Sequence, residues 1–406
     1  MPIHIVDSHE FYEMYRGDKD FRLGIELCRD PDNRYSAMVP DLASPADRTF
    51  FHTDRFPRNQ LPKLPDNFKV HYMKSRLVYF SKGNLSLGGF FQFSGAYPSL
   101  IKRLKPDLIF ENPYTTLTPR SYLTYFAAWG NRIPMVYVDP GDIPPKGAVK
   151  NVLARLERPI IKNARHIIVY NEMGKERFTR EYGFPVENIS VVPKPVDVTK
   201  FIPGKGREEN RIKLNVGDRF VVAYIGRLSN NKGAAHLLKA ANIIKEAGLA
   251  ERYFFIFAGG NIIKKDADDI RAMNEKFGLD NVHFTGHVTN SEIAGYQAAA
   301  DLIVYPDVTN LPGFSSVLAE SMAMGKAILI GIKGFEMATP LTHMHDSIII
   351  SARDADAIAE NIQMLEADII LREKLEENAR KYAEERMSWN VQVKIYKEIF
   401  QRAIER

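Results

Sequence analysis

The sequence predicts a two-domain α/β protein in which parallel sheets carry helices on both faces. Three observations lead there. Short, nearly continuous apolar runs rich in Val, Ile and Phe recur along the chain. Helical patterns separate them, as expected of strands buried on both faces. Midway, residues 193–220 (PKPVDVTKFIPGKGREENRIKLNVGDRF) break the rhythm with Pro, Gly and charge, which marks a boundary between two units.

In the first half, strands are expected at residues 3–6 (IHIV), 107–111 (DLIFE), 135–139 (MVYVD) and 166–170 (HIIVY). In the second they fall at 220–226 (FVVAYIG), 253–258 (YFFIFA), 282–285 (VHFT), 302–305 (LIVY), 327–331 (AILIG) and 347–351 (SIIIS). Residues 30–100 are proline-dotted and read as loops around short elements, ending in a segment where Phe90, Phe91, Phe93 and Tyr97 lie close together. Core packing is the plain expectation for that segment, with an apolar acceptor pocket or a membrane-facing lip as the alternative. Residues 354–406 carry helical periodicity and no further strand, too much helix for one αβ unit, so the end of the chain is expected to pack back on the first domain.

Composition narrows the function classes. With 55 basic against 50 acidic residues among 406, the net charge of +5 suits anionic small molecules or an acidic membrane surface and is too weak to argue for nucleic acid. Cys28 is the only cysteine, so no internal disulfide forms and a reducing compartment is expected. The N-terminal MPIHIVDSHE lacks the features of a signal peptide. No apolar run approaches the roughly 18–20 residues of a membrane helix. The expected location is cytoplasmic, at most peripheral at the cytoplasmic membrane face.

Two stretches carry chemistry. After the 220–226 run comes GRLSNNKG (226–233), where Gly226 permits a turn and Arg227 and Lys232 bracket a loop opening a helix over 234–248. Two cations beside a helix N-terminus suit a diphosphate, because backbone N–H groups and the helix dipole both favour anions. The plain alternative is surface charge. Downstream, YPDVTNLPGFSSVLAESMAMGKAILIG (305–331) leaves a strand through a Pro-Gly turn into a helix bearing Glu320 among small and apolar residues. A carboxylate there needs a donor, from ligand or protein. Both stretches lie at the C-terminal ends of strands, where open parallel sheets bind ligands.

These stretches, with VVPKPVDVTKF (191–201), FIFAGG (255–260), VHFTGHVTNSEIAGYQAAADLIVYP (282–306) and ENARKYAEERMSW (377–389), resemble in order and spacing the donor-binding domain of the family 4 glycosyltransferases. The first half is similar more faintly, in LKPDLIFEN (104–112), IPMVYVDPGD (133–142) and RLERPIIKNARHIIVYNEMGKERF (155–178). The resemblance implies the GT-B fold, two Rossmann-like domains facing across a cleft. It assigns residues 1–190 to the acceptor, 191–370 to the nucleotide-sugar donor, and helices at 371–406 to a return toward the first domain. It further implies that Gly226, Arg227 and Lys232 hold the donor diphosphate and that Glu320 holds the ribose. Gly313, Phe314 and Ser315 match the loop at sugar and phosphates; His287 and Val288 match the region lining the nucleobase.

Three departures stand out. Pro312 occupies the place of the first glutamate of the family's Glu-x7-Glu motif, Pro140 that of its first-domain histidine, and DSHEFYEMYRG (7–17) that of its Gly-Gly pair. The nucleotide end of the site is kept and the sugar end rewritten. Asp139 and Asp142, flanking Pro140 and Gly141, are the candidate general bases an inverting transfer needs; loop capping is their plain alternative. His9, Glu10, Glu111 and Asn112 are further candidates at strand ends. Asp266-x-Asp268 and Asp354-x-Asp356 read as helix starts rather than metal sites. Lys150, Arg155, Arg158, Lys162 and Arg165 form a basic run, a solvated face or a patch for anionic lipid or glycan.

The expected function is transfer of a hexose-type sugar from a UDP- or GDP-sugar to a hydroxyl of a glycan or lipid-linked acceptor, without an obligatory metal. The alternatives are a non-catalytic nucleotide-sugar-binding protein and a GT-B epimerase or phosphorylase.

Overall fold

A computed structural model describes residues 2–9, 19–42, 63–82, 85–93, 96–112, 119–139, 148–229, 232–260, 264–307, 316–332 and 341–405. The chain forms two compact units, Met1–Val192 with Gln392–Arg406, and Pro193–Val391.

The first unit holds β1 (His4–His9), β2 (Arg34–Leu42), β3 (Phe68–Lys82), β4 (Leu85–Phe93), β5 (Leu108–Asn112), β6 (Met135–Val138), β7 (Ala164–Val169) and β8 (Ile189–Val191). They lie in the order β4-β3-β2-β1-β5-β6-β7-β8, parallel except for the antiparallel β3–β4 pair. Its helices are α1 (Lys19–Leu27), α2 (Ala96–Leu104), α3 (Pro119–Asn131), α4 (Ala148–Asn163) and α5 (Glu172–Tyr182). β2, β3 and β4 correct the expectation of loops over 30–100. Pro40 stands inside β2, and a proline normally argues against a strand. In β3, Lys69 and Tyr72 are exposed, so the segment lacks the apolar continuity of the central strands. Tyr97 settles part of the aromatic segment: it is fully buried, accepts a hydrogen bond from the Thr124 hydroxyl at 3.2 Å and belongs to the core.

The second unit holds β9 (Phe220–Ile225), β10 (Tyr253–Ala258), β11 (Val282–Gly286), β12 (Leu302–Tyr305), β13 (Ala327–Ile332) and β14 (Ile348–Ser351), all parallel in the order β11-β10-β9-β12-β13-β14. Its helices are α6 (Arg207–Leu214), α7 (Ala234–Glu246), α8 (Lys264–Phe277), α9 (Asn290–Ala299), α10 (Ser316–Ala323), α11 (Ala355–Ala367) and α12 (Ile369–Tyr382). β9 shows why the strands read as continuous apolar runs. Val221, Ala223 and Ile225 enter the core on one face, and Phe220, Val222 and Tyr224 enter the core on the other. On α7, Ala234, Leu237, Leu238, Ala241 and Ile244 repeat at helical spacing and are buried.

The final helix, α13 (Trp389–Glu405), groups with the first unit from Gln392 onward. There Phe110 of β5 meets the rings of Tyr396 and Phe400 at 5.8 and 5.2 Å. The division falls later than residue 371, because Leu375, Ala379, Ala383 and Met387 are buried in the cores of the second unit. Asp354 caps α11 by accepting from the Ala357 N–H at 2.9 Å, the helix-start role its position suggested.

Candidate active site

In the second sheet the strand order reverses between β9 and β12, and both strands end on the same side, the usual ligand-binding place of an open parallel sheet. Gly226, Arg227 and Lys232 lie between β9 and α7, and Glu320 lies on α10, the helix that follows β12 in the chain. Gly226 follows β9 and donates its N–H to the Ala258 carbonyl of β10 at 2.9 Å. The Tyr224 hydroxyl donates to the Arg227 carbonyl oxygen at 2.7 Å, which holds the loop backbone while the Arg227 side chain stays exposed. The Lys232 N–H bonds the Ser229 carbonyl at 3.0 Å, closing the turn into α7.

Two glycines make this crowding possible. Gly233 (φ 75°) caps α7, and a Cβ there would lie 2.9 Å from the Pro306 side chain. Gly259 (φ 142°) faces the Gly226 carbonyl oxygen, 2.1 Å from where a Cβ would stand. Gly259→Ala is therefore expected to cost about 2–4 kcal/mol and to displace the Gly226 turn. A chemical-denaturation midpoint equal to that of the parent chain would contradict this.

The electrostatics favour an anion. Gly233 offers α7 no side-chain cap, and the dipole of the helix places positive potential at this end. Lys232 is pushed down to about 8 by burial, with Arg227 and Lys194 adding positive charge and Asp307 opposing them. Lys326 is also pushed to about 8 by burial, yet it is satisfied by the Ala298 and Ala300 carbonyls at 3.0 and 2.8 Å. Lys326 is thus held by protein carbonyls, whereas at Lys232 an incoming anion would offset the burial and the neighbouring positive charge. Asp307, buried just after β12, bonds Arg353 Nε at 2.6 Å and gives the cluster its carboxylate. Asp307, Arg353 and Lys194 escaped the sequence reading; the usable signal was an acid directly after the β12 run, at the switch point.

Glu320 lies on α10, only 6% exposed. Burial, with Glu320 nearby, holds the Tyr305 phenol above its usual range. The loops after β10 and β11 touch, since a Cβ on Gly260 would lie 3.3 Å from that of His287. His287 is exposed and Val288 half-buried at that rim. Gly313, Phe314, Ser315, Pro312, Pro140, Asp142 and Glu10 fall outside the described residues, as does the His9 side chain.

The first-unit candidates are drawn into internal contacts. Asp139, 4% exposed, meets Arg177 Nη1 at 3.5 Å. Arg177 also reaches Glu157 at 3.5 Å, and the Tyr182 hydroxyl donates to Glu157. Burial raises the Glu157 carboxyl above its usual range. This geometry gives Asp139 the setting of a structural ion pair. Glu111 is fully buried and accepts from the Ser121 hydroxyl at 3.0 Å, anchoring α3. Asn112 is half-buried at the end of β5.

The chain thus consists of two Rossmann-like α/β units, the second with a cationic cluster at its switch point. Comparison with known proteins gives the rest. The family "Glycosyl transferases group 1" matches residues 206–382, and "Glycosyltransferase Family 4" matches residues 50–200. The chain belongs to the family 4 glycosyltransferases and has the GT-B fold. It is 28% identical over 259 residues to a D-inositol 3-phosphate glycosyltransferase of Corynebacterium kroppenstedtii, covering 62% of this chain and 56% of that one. A GDP-mannose-dependent alpha-(1-6)-phosphatidylinositol monomannoside mannosyltransferase of Mycobacterium tuberculosis is 27% identical over 203 residues, 48% of this chain and 50% of that one. The matches thus span little more than half the length of these curated relatives. Among solved structures, a glycosyltransferase from Rickettsia africae superposes with a TM-score of 0.74 at 12% identity, covering 100% of this chain and 99% of that one. Anabaena Alr3699/HepE in complex with UDP and glucose gives 0.70 at 19%, covering 98% and 99%.

Proposed function

We propose that the protein transfers a hexose-type sugar from a nucleoside diphosphate sugar to a hydroxyl of a glycan or lipid-linked acceptor. The observation that carries this reading is the Arg227–Lys232 pair, with Lys194, near a helix N-terminus that has no side-chain cap. During transfer the acceptor oxygen bonds the anomeric carbon as the bond to the diphosphate breaks, and negative charge grows on the departing phosphate. Fixed cations stabilise that charge more in the transition state than in the ground state. They supply what a divalent ion supplies elsewhere, so turnover is expected to be unchanged by EDTA. Glu320, as a buried carboxylate, would accept both ribose hydroxyls. The relatives' names, which include inositol phosphate and GDP-mannose-dependent enzymes, support sugar transfer as the reaction class.

The test is a thermal-shift panel of UDP, GDP, ADP, dTDP and their sugars, with Arg227→Ala and Glu320→Ala alongside. A ligand at 100 times its Kd stabilises by about 2.7 kcal/mol, a shift of a few degrees. One selective base, lost in both variants, is expected; no shift with any nucleotide would sink the donor reading. An acceptor screen with the selected sugar then separates transfer from binding alone.

Lys232 adds a pH signature. Its folded value of about 8 lies below the ordinary 10.5, so the unliganded fold binds fewer protons than the unfolded chain between those values. This lysine therefore contributes stability that rises with pH across that window and costs stability below it. A bound diphosphate reverses the shift. Binding near pH 9 is expected to take up close to one proton and to weaken as pH rises above about 8. Calorimetry in buffers of different ionisation enthalpy measures the uptake; zero uptake at that pH would remove Lys232 from the phosphate site.

A further inference from the structure

We propose that the outward face of α3 and α4 docks on an anionic phospholipid bilayer, an inference independent of the donor chemistry. On α3, Ser121, Thr124, Ala127 and Ala128 turn inward and are buried. The opposite stripe carries Tyr122, Phe126 and Trp129 at i, i+4 and i+7, with Phe126 56% and Trp129 65% exposed. Tyr125 extends the stripe, its ring 5.0 Å from that of Phe126. The Tyr122 hydroxyl donates to the Leu156 carbonyl at 2.6 Å and joins this stripe to α4. There Val152 and Leu156 are 56% and 46% exposed, one turn apart. Large apolar side chains clustered in water mark a surface that something covers.

The charge around the patch identifies the occupant. Arg155, Arg158, Lys162 and Arg165 are exposed along α4 and just beyond it. Among the described residues none of the four pairs with a carboxylate; Arg158 donates to the Glu181 carbonyl oxygen. The only acid on α4, Glu157, is turned inward to Arg177 and Tyr182. Exposed Trp129 and Phe126, flanked by half-buried tyrosines and by cations without a carboxylate partner among the described residues, match the headgroup zone of an acidic bilayer, where aromatic rings straddle the interface and Arg and Lys meet lipid phosphates. A second copy fits poorly, since an isologous contact would press two such basic rows together.

The experiment uses the full chain with Trp389→Phe, which leaves Trp129 as the sole tryptophan reporter. Sedimentation is measured with phosphatidylcholine vesicles and with vesicles containing about 30% phosphatidylglycerol, at about 0.1 M salt. At least tenfold stronger binding to the acidic vesicles is expected, with a blue shift of Trp129 emission. The paired variants Phe126→Ser with Trp129→Ser, and Arg155→Glu with Lys162→Glu, are each expected to lose at least tenfold while melting as cooperatively as the parent. Absence of binding, equal binding to neutral vesicles, or undiminished binding by both variants overturns the proposal. Concentration-dependent dimerisation abolished by the apolar pair, without vesicle binding, would assign the face to self-association instead. The nucleotide panel reads out separately, so a failed donor site and a failed membrane face are told apart.

Discussion

Arg227→Ala or Lys232→Met is expected to lower kcat/KM for sugar transfer by about 10²–10³, the cost of deleting one fixed charge at a developing anion. Neither change is expected to destabilise the unliganded protein. Lys232 is held against burial and against the charges of Arg227 and Lys194, with Asp307 only partly offsetting them. Removing its charge relieves that repulsion, and the side chain's apolar stem is kept by Met. Lys232→Met should therefore melt at the parent's temperature or above it, yet gain little from nucleotide. Activity lost together with stability would mean that the lysine holds the loop rather than the phosphate. The opposite movement of the two quantities is the mark of a site whose strain is set aside for its ligand.

The second large effect lies in the first unit. Arg177→Met is expected to destabilise the protein by about 3–5 kcal/mol, because two buried carboxylates would lose their shared cation. Asp139 and Glu157 side chains are each 6% exposed, and Arg177 reaches both at 3.5 Å while packing 5.2 Å over the Phe178 ring. Deleting the cation leaves charge that water cannot reach, so the carboxyls must take up protons or the helix α5 must move. Asp139→Asn removes one acid and keeps the shape, so a milder loss of about 1–2 kcal/mol is expected. It also decides what Asp139 does. Turnover within a few-fold of the parent at full occupancy fits a structural pair. A loss beyond 10²-fold with unchanged melting would return Asp139 to the reaction as its base.

The parts of the site legible in sequence are those fixed by local chemistry. Arg227, Lys232 and the glycines between β9 and α7 sit within eight residues of the chain, so a strand end, a loop and a helix start could be placed by pattern alone. The same holds for Glu320 in its small-residue helix. Asp307 and Arg353 meet at 2.6 Å although 46 residues apart, a pairing that exists only because β13 pairs with β12 on one side and β14 on the other. Asp139 reads in sequence as a loop acid at a strand end; only the packing of α5 on that end supplies Arg177 and closes it off.

The central strands announced themselves because burial on both faces demands unbroken apolar residues, and the helices because one face repeats at 3.6. Those patterns by themselves determine the two α/β units and the basic helix. Tertiary structure decided the rest: that β2, β3 and β4 extend the first sheet despite Pro40, that Tyr97 is core, and that Phe126 and Trp129 are not. Strand order and side-chain exposure depend on which distant segments meet, and an edge strand, an ion pair or an uncovered aromatic leaves no periodic trace in its own few residues.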